Sequence, residues 1–188
     1  QGLKMERRLA SLWRNIVDAA ICISVTERQD RRDKTETELS RAGFPEDLLE
    51  FLIVERHPNN TNVGIFESHQ KAISRALANP RVKRLLVFED DIMFAQQDDI
   101  LAVLEELLSM VNDANVSWDH IRLGGIPTFF YLDEPAHGYK HVYRVPWALC
   151  SHAYIITRDF GEHVVKRKVF MPFDVAINFW SPFGQFIC

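Results

Sequence analysis

Three consecutive carboxylates, Glu89-Asp90-Asp91, follow a strongly apolar run from Leu85 to Phe88. Adjacent carboxylates repel one another, so a fold must compensate them. A hard divalent cation, which takes oxygen ligands, is one compensation; a solvated turn is the alternative. In extended backbone residues 89 and 91 face the same side. That makes Glu89 and Asp91 the candidate metal ligands and turns Asp90 elsewhere.

Arg28, Arg31 and Arg32 follow a second apolar run, Ala20 to Val25, together with Ser24 and Thr26 at its end. Guanidinium forks match phosphate oxygens. The alternative is an exposed helix start on which these arginines pair with Asp30 and Asp33. Glu67-Ser68-His69 sets an imidazole in a helix, where it can reach a ligand at the sheet edge or serve the core. Pro172-Phe173-Asp174 places one carboxylate in an otherwise apolar stretch. A carboxylate there is costly without partners, so it is either exposed or used.

These residues need elements to position them. Apolar runs predict strands over 20–25, 51–54, 84–88, 118–123, 143–145 and 153–157. Helical spacing predicts helices over 3–19, 34–42, 64–78 and 100–111. Gly43 stops the second of these, and Asp98 or Asp99 caps the last. Asp159 is expected to cap a further short helix with a basic end, Lys166-Arg167-Lys168. Alternating strands and helices predict an α/β fold with a parallel-type sheet. Ligands gather at the carboxyl ends of such strands, where the acidic and arginine clusters both fall.

The 188 residues suit one domain with a real core. A net charge of −4 argues against a general nucleic-acid binder. Cys22, Cys150 and Cys188 are too few and too dispersed for a disulfide framework or a zinc site. A reducing, cytoplasmic setting is the simpler reading. No apolar run reaches the roughly 18–20 residues that span a bilayer. Lys4, Arg7, Arg8 and Arg14 interrupt any signal-peptide pattern at the start. The segment 1–19 reads as an amphipathic helix. It either packs on the domain or on a second copy in a homodimer, or lies on the inner-membrane surface.

Five segments occur in order: ICISVTERQDRRDKTETEL, GIFESHQKAI, RLLVFEDDIMF, SHAYIITRDFGEHVV and MPFDVAI. As an ordered set they resemble glycosyltransferase family 25, which includes bacterial lipooligosaccharide galactosyltransferases and collagen-modifying homologues. The resemblance spans roughly residues 20–178. It implies a single domain of the A-type glycosyltransferase fold over 20–188, with helices on both faces of a Rossmann-like sheet. It further implies a metal-dependent, inverting hexose transfer, with galactose as the expected hexose, from a UDP-sugar to a glycan or lipooligosaccharide-like acceptor.

Residue by residue, the resemblance assigns Glu89 and Asp91 to Mn²⁺ or Mg²⁺. It assigns Ser24, Thr26, Arg28, Arg31, His69 and Asp90 to the nucleotide sugar, and Asp174 to the catalytic base. His152 and Glu67 are the weaker alternatives for the base. Apolar neighbours of Asp174 would raise its pKa by desolvation; a helix cap at Val175 is its structural alternative. Ser24 stands where the family usually has asparagine. Family members commonly run further, so the chain is expected to be truncated at its C-terminus. The stretch 128–142 carries no recognisable motif. Two other readings use the same residues. One is a non-catalytic nucleotide-sugar or glycan-binding module. The other is a metal-dependent nucleotidyl- or phosphotransferase, against which stands the lack of a Gly-rich P-loop.

Overall fold

The computed structural model describes residues 2–127, 138–181 and 185–188. In chain order the elements begin with helix α1 (Gly2–Ile16), strand β1 (Ala19–Val25), helix α2 (Gln29–Arg41) and strand β2 (Leu49–Val54). Helix α3 (Thr61–Leu77), strand β3 (Arg84–Glu89) and helix α4 (Gln97–Val111) follow. Five strands come next: β4 (His120–Arg122), β5 (Ile126–Pro127), β6 (Tyr143–Arg144), β7 (Ala148–Leu149) and β8 (Ala153–Thr157). Helices α5 (Arg158–Val164) and α6 (Phe173–Phe179) and strand β9 (Gln185–Ile187) complete the described chain. Most of the motifless stretch 128–142 lies outside the described residues.

The main sheet has the order β2-β1-β3-β8-β4-β9-β6. β1 pairs in parallel with β2 and β3, as the alternating pattern predicts. β8 enters antiparallel between β3 and β4, and β6 runs antiparallel along β9. The sheet is therefore mixed, which corrects the expectation of a parallel one. An apolar run records burial and not direction, so 153–157 could be read as a strand without revealing its polarity.

The central strands are apolar along their whole length because both sheet faces are covered. Cys22, Leu86 and Phe88 face one layer with Leu9, Trp13, Leu104 and Leu107 of α1 and α4. Ile21, Val87, Tyr154 and Ile156 face the other with Phe66, Ile73, Phe160 and Phe173 of α3, α5 and α6. This is the α/β fold with helices on both faces that was expected.

Several helix starts differ from the expectation. α2 begins at Gln29, so Arg31 and Arg32 are helical. α3 begins at Thr61, where the Asn60 side chain accepts from Val63 N at 3.2 Å. Neither Asp98 nor Asp99 caps α4; both sit in its first turn, behind Gln96, where they complement the positive end of the helix dipole. Thr157, and not Asp159, caps α5, its hydroxyl accepting from Phe160 N at 3.3 Å.

The apolar stripe of α1 belongs to the core. Leu9, Trp13 and Ile16 are almost wholly buried. The Trp13 indole donates to Ala42 O at 3.1 Å and meets Phe44 and Phe94 edge-on. Of the two readings of this helix, packing on the domain is the one observed. Among the described residues no helix is long and apolar enough to cross a membrane.

Trp13→Ala is expected to lower unfolding free energy by about 3–5 kcal/mol through the cavity it leaves. A urea midpoint equal to that of the parent chain would place α1 outside the core.

Candidate active site

Because β1 and β3 are adjacent and parallel, the chain leaves both at the same edge of the sheet. The acidic turn after β3 therefore lands against the arginines at the start of α2. Asp90 is buried there. Its carboxylate accepts from Ser24 Oγ at 2.6 Å and from Arg31 Nη1 at 3.2 Å, and its main-chain oxygen accepts from Thr35 Oγ1 at 3.1 Å. Arg31 Nη1 also reaches Asp91 Oδ2 at 3.2 Å. One guanidinium thus bridges two adjacent carboxylates. The repulsion that suggested a metal is met in part by the protein itself.

Arg32 has a different task from Arg31. It donates to Ser24 Oγ at 2.9 Å, Val25 O at 2.7 Å and Thr26 O at 3.0 Å. It thereby closes the end of β1. Ser24, expected at the nucleotide sugar, is 1% exposed and held between Arg32 and Asp90. Thr26 turns to Glu55 Oε1 at 2.7 Å and lines none of the three cavities described below. Arg28 pairs with Asp30 through Nε at 2.9 Å and Nη2 at 2.8 Å, holding that exposed carboxyl at about 2.

Glu89 is the point where three cavities meet. One, of about 300 Å³, is lined by Arg28, Arg31, Arg56, His57, His69 and Asp90 as well as Glu89. A second, of about 270 Å³, is lined by Asn62, Ser151, His152, Phe173 and Asp174. Ile65 and Glu89 stand between these two. A third, largely apolar cavity of about 640 Å³ lies behind α4; it shares Glu89 with both others and His152 with the second, and Asp91 lines this one alone.

His69 Nε2 lies 3.5 Å from Glu89 Oε1. That is long for a hydrogen bond, so the contact is best described as electrostatic. It still holds the Glu89 carboxyl below the usual carboxylate range, against the opposing effect of burial. His69 Nδ1 meets Tyr154 OH at 2.9 Å, and its ring stacks on Phe173 at 4.3 Å and 6°. Burial pushes the Tyr154 phenol well above its usual value, so it remains a hydroxyl donor. The His69 ring is thus held between the Tyr154 hydroxyl at Nδ1 and the Glu89 carboxylate at Nε2. His69 reaches the site chiefly by fixing Glu89.

Asp174 lies in the first turn of α6, behind Pro172, and caps nothing. Its Oδ2 accepts from Cys150 N at 3.2 Å. Cys150 has φ of 70°, a left-handed conformation costly for a residue with a Cβ. Arg122 supports it from below. This wholly buried guanidinium donates to Cys150 O at 3.1 Å and Asp174 O at 3.0 Å. It also reaches Asn178 Oδ1 and Gln185 Oε1, each at 3.2 Å. Burial lowers its pKa to about 10, with Asp174 opposing that shift. His152 lines the same cavity as Asp174. Glu67 is exposed on α3 and lines none of the three cavities.

The expectation that Glu89 and Asp91 project together rested on extended backbone through residue 91. The chain turns at 90–91, so Glu89 faces His69 while Asp91 meets Arg31. They still line one cavity together. Among the described residues no three His, Cys, Asp or Glu side chains form a ready cation cage. Sequence reasoning grouped Arg32 with the phosphate-binding arginines, where it instead braces β1, and missed the roles of Arg56, Arg122, Cys150 and Tyr154. An arginine inside the apolar strand 118–123 was the available signal for Arg122, because a buried cation demands partners.

No protein-family profile matches the chain, and no curated protein matches it. Similar solved structures include A197 from STIV, at 15% identity over 90% of this chain and 81% of that one, with a TM-score of 0.47. A glycosyltransferase involved in glycosylation of the major capsid of PBCV-1 has 14% identity, coverage of 78% and 63%, and a TM-score of 0.44. The mannosyltransferase PcManGT from Pyrobaculum calidifontis, in complex with GDP-Man and Mn²⁺, has 14% identity, coverage of 85% and 58%, and a TM-score of 0.42. The chain spans less than two thirds of the latter two. Likeness at this level decides neither fold nor activity.

Ser24→Ala removes a buried donor to Asp90 and is expected to cost about 1–3 kcal/mol of stability. Nucleotide-sugar affinity should be unchanged in the folded variant. Loss of affinity at full stability would return Ser24 to the ligand. Acid titration provides a second check. A depressed Glu89 pKa adds stability that is fully present above about pH 4.3 and is lost as pH falls through the lower folded value. Glu89→Gln should therefore show a shallower acid loss in urea midpoints, and an unaltered pH profile would remove the His69–Glu89 coupling.

Proposed function

We propose that the chain is an inverting glycosyltransferase domain of the A-type fold, moving a hexose from a nucleoside-diphosphate sugar to a glycan hydroxyl. One observation carries this reading. Glu89 and Ile65 separate an arginine-lined cavity from a cavity containing Asp174. A donor needs cationic groups at its diphosphate and a base across the sugar from them, and this division provides both.

Arg28, Arg31 and Arg56 would bind the diphosphate by charge-assisted hydrogen bonds. Asp174, oriented by Cys150 N, would take the proton of the acceptor hydroxyl. As that oxygen bonds to the anomeric carbon, the bond from carbon to phosphate oxygen breaks and the nucleoside diphosphate leaves. The acceptor proton ends on the Asp174 carboxylate, and the configuration inverts in the single displacement. Arg122 and the Cys150 backbone keep Asp174 in place while this happens.

Glu89 and Asp91 have the chemistry to hold a hard divalent cation, Mn²⁺ or Mg²⁺, since both are carboxylates at the site's edge: Glu89 lines the arginine cavity and Asp91 meets Arg31. Bound there, the cation would neutralise charge on the leaving diphosphate. The Arg31 bridge favours a second reading, a non-catalytic nucleotide-sugar-binding module, since it satisfies Asp90 and Asp91 without a metal. The family resemblance supports UDP-galactose as donor and a glycan or lipooligosaccharide-like acceptor.

Arg31→Ala is expected to weaken UDP binding by about 10-fold or more. Lys34→Ala, an exposed change on the same helix, should leave it intact; equal losses would remove Arg31 from the donor site. Asp174→Asn should retain UDP-sugar binding by thermal shift and lose transfer by about 100-fold. Normal turnover would move the base elsewhere. UDP binding that is identical with Mn²⁺ and with EDTA would exclude the metal and favour the binding module.

A further inference from the structure

One surface stands outside the site. From His163 to Phe173 the chain carries no Asp or Glu, and Lys166, Arg167 and Lys168 are consecutive in a chain of net charge −4. All three are exposed. Immediately after them Val169 is 36% and Phe170 57% exposed. A solvated charge run accounts for the lysines but not for an exposed valine and phenylalanine directly beside them.

The surface is held in shape. Gln70 of α3 donates to Val164 O at 3.0 Å and Arg167 O at 2.7 Å. The Arg167 guanidinium stands 5.9 Å over the Trp180 ring, and Phe170 packs on the same ring at 5.8 Å. Trp180 in turn meets Phe66, which meets Phe173. The patch is thus joined by a continuous aromatic cluster to the wall of the Asp174 cavity.

We propose that residues 166–170 dock the protein on an anionic lipid bilayer, beside the Asp174 cavity. Exposed lysine and arginine meet acidic headgroups, while Phe170 and Val169 enter the boundary between headgroups and acyl chains. A nucleic acid would use the cations but has no need of an exposed valine and phenylalanine. α1, the segment the sequence offered for this task, has its apolar stripe buried against the domain. The inference stands whether or not the cavity transfers sugars.

Co-flotation of the full chain with vesicles tests it. The chain should float with phosphatidylcholine vesicles containing about 30% phosphatidylglycerol, less so as salt rises. It should stay behind with pure phosphatidylcholine. K166E/K168E should cut the floated fraction about tenfold or more. K166Q/K168Q, milder in charge, should cut it less but in the same direction. F170S should reduce flotation while far-ultraviolet circular dichroism is unchanged, and K4E/R7E on α1 should have no effect. Failure of the parent chain to float with the acidic vesicles overturns the proposal. So does flotation of K166E/K168E at the parental level, loss confined to K4E/R7E, or indifference to F170S, which would mark a general polyanion site.

Discussion

Asp90 cannot be left alone where it is. It is 6% exposed at the end of β3, and an unpartnered carboxylate at that depth would cost several kcal/mol. Ser24 from β1, Arg31 and Thr35 from α2 supply its partners. Three elements distant in sequence are thereby tied at one corner. The flanking carboxylates inherit their positions from that knot. Glu89 is the last residue of the strand and faces the helix α3 side; Asp91 follows the turn and shares the Arg31 guanidinium. The division of the site into cavities follows from this corner, because Glu89 forms part of the wall of each.

The opposite wall depends on a second buried charge. Among the described residues Arg122 has no carboxylate in direct contact and is satisfied instead by carbonyl and amide oxygens from Cys150, Asp174, Asn178 and Gln185. Such an arrangement fixes several backbone segments at once, since each loses a charge-assisted bond if it moves. It explains how Cys150 keeps a left-handed conformation: its carbonyl is held by Arg122 and its N–H by Asp174. The Asp174 side chain is consequently set by hydrogen bonding to a strained backbone, not by a helix cap.

The two sheet faces divide the labour. The face toward α1 and α4 is largely apolar and bears the large cavity. The face toward α3, α5 and α6 carries the aromatic ring system in which His69 is stacked on Phe173 and bonded to Tyr154. That setting fixes the His69 ring with Nε2 turned toward Glu89. It also continues through Phe66 and Trp180 to the exposed basic surface, so the site and that surface share one rigid support.

The sequence by itself determined the α/β class, the strands over 20–25, 84–88 and 153–157, and the layer of helices, because continuous apolar runs and helical spacing are local consequences of burial. It also located the acidic turn and the arginines at strand ends, which the parallel pairing of β1 with β3 brings together. Tertiary structure alone decided the direction of β8, the end of extended backbone at Glu89, and which arginine meets which carboxylate. It also decided that α1 covers the core and that Arg122 braces the Asp174 wall. The physical reason is common to all of these. Strand polarity, the partner of a buried charge and the occupant of an apolar stripe depend on contacts between residues tens of positions apart, and local pattern carries no record of them.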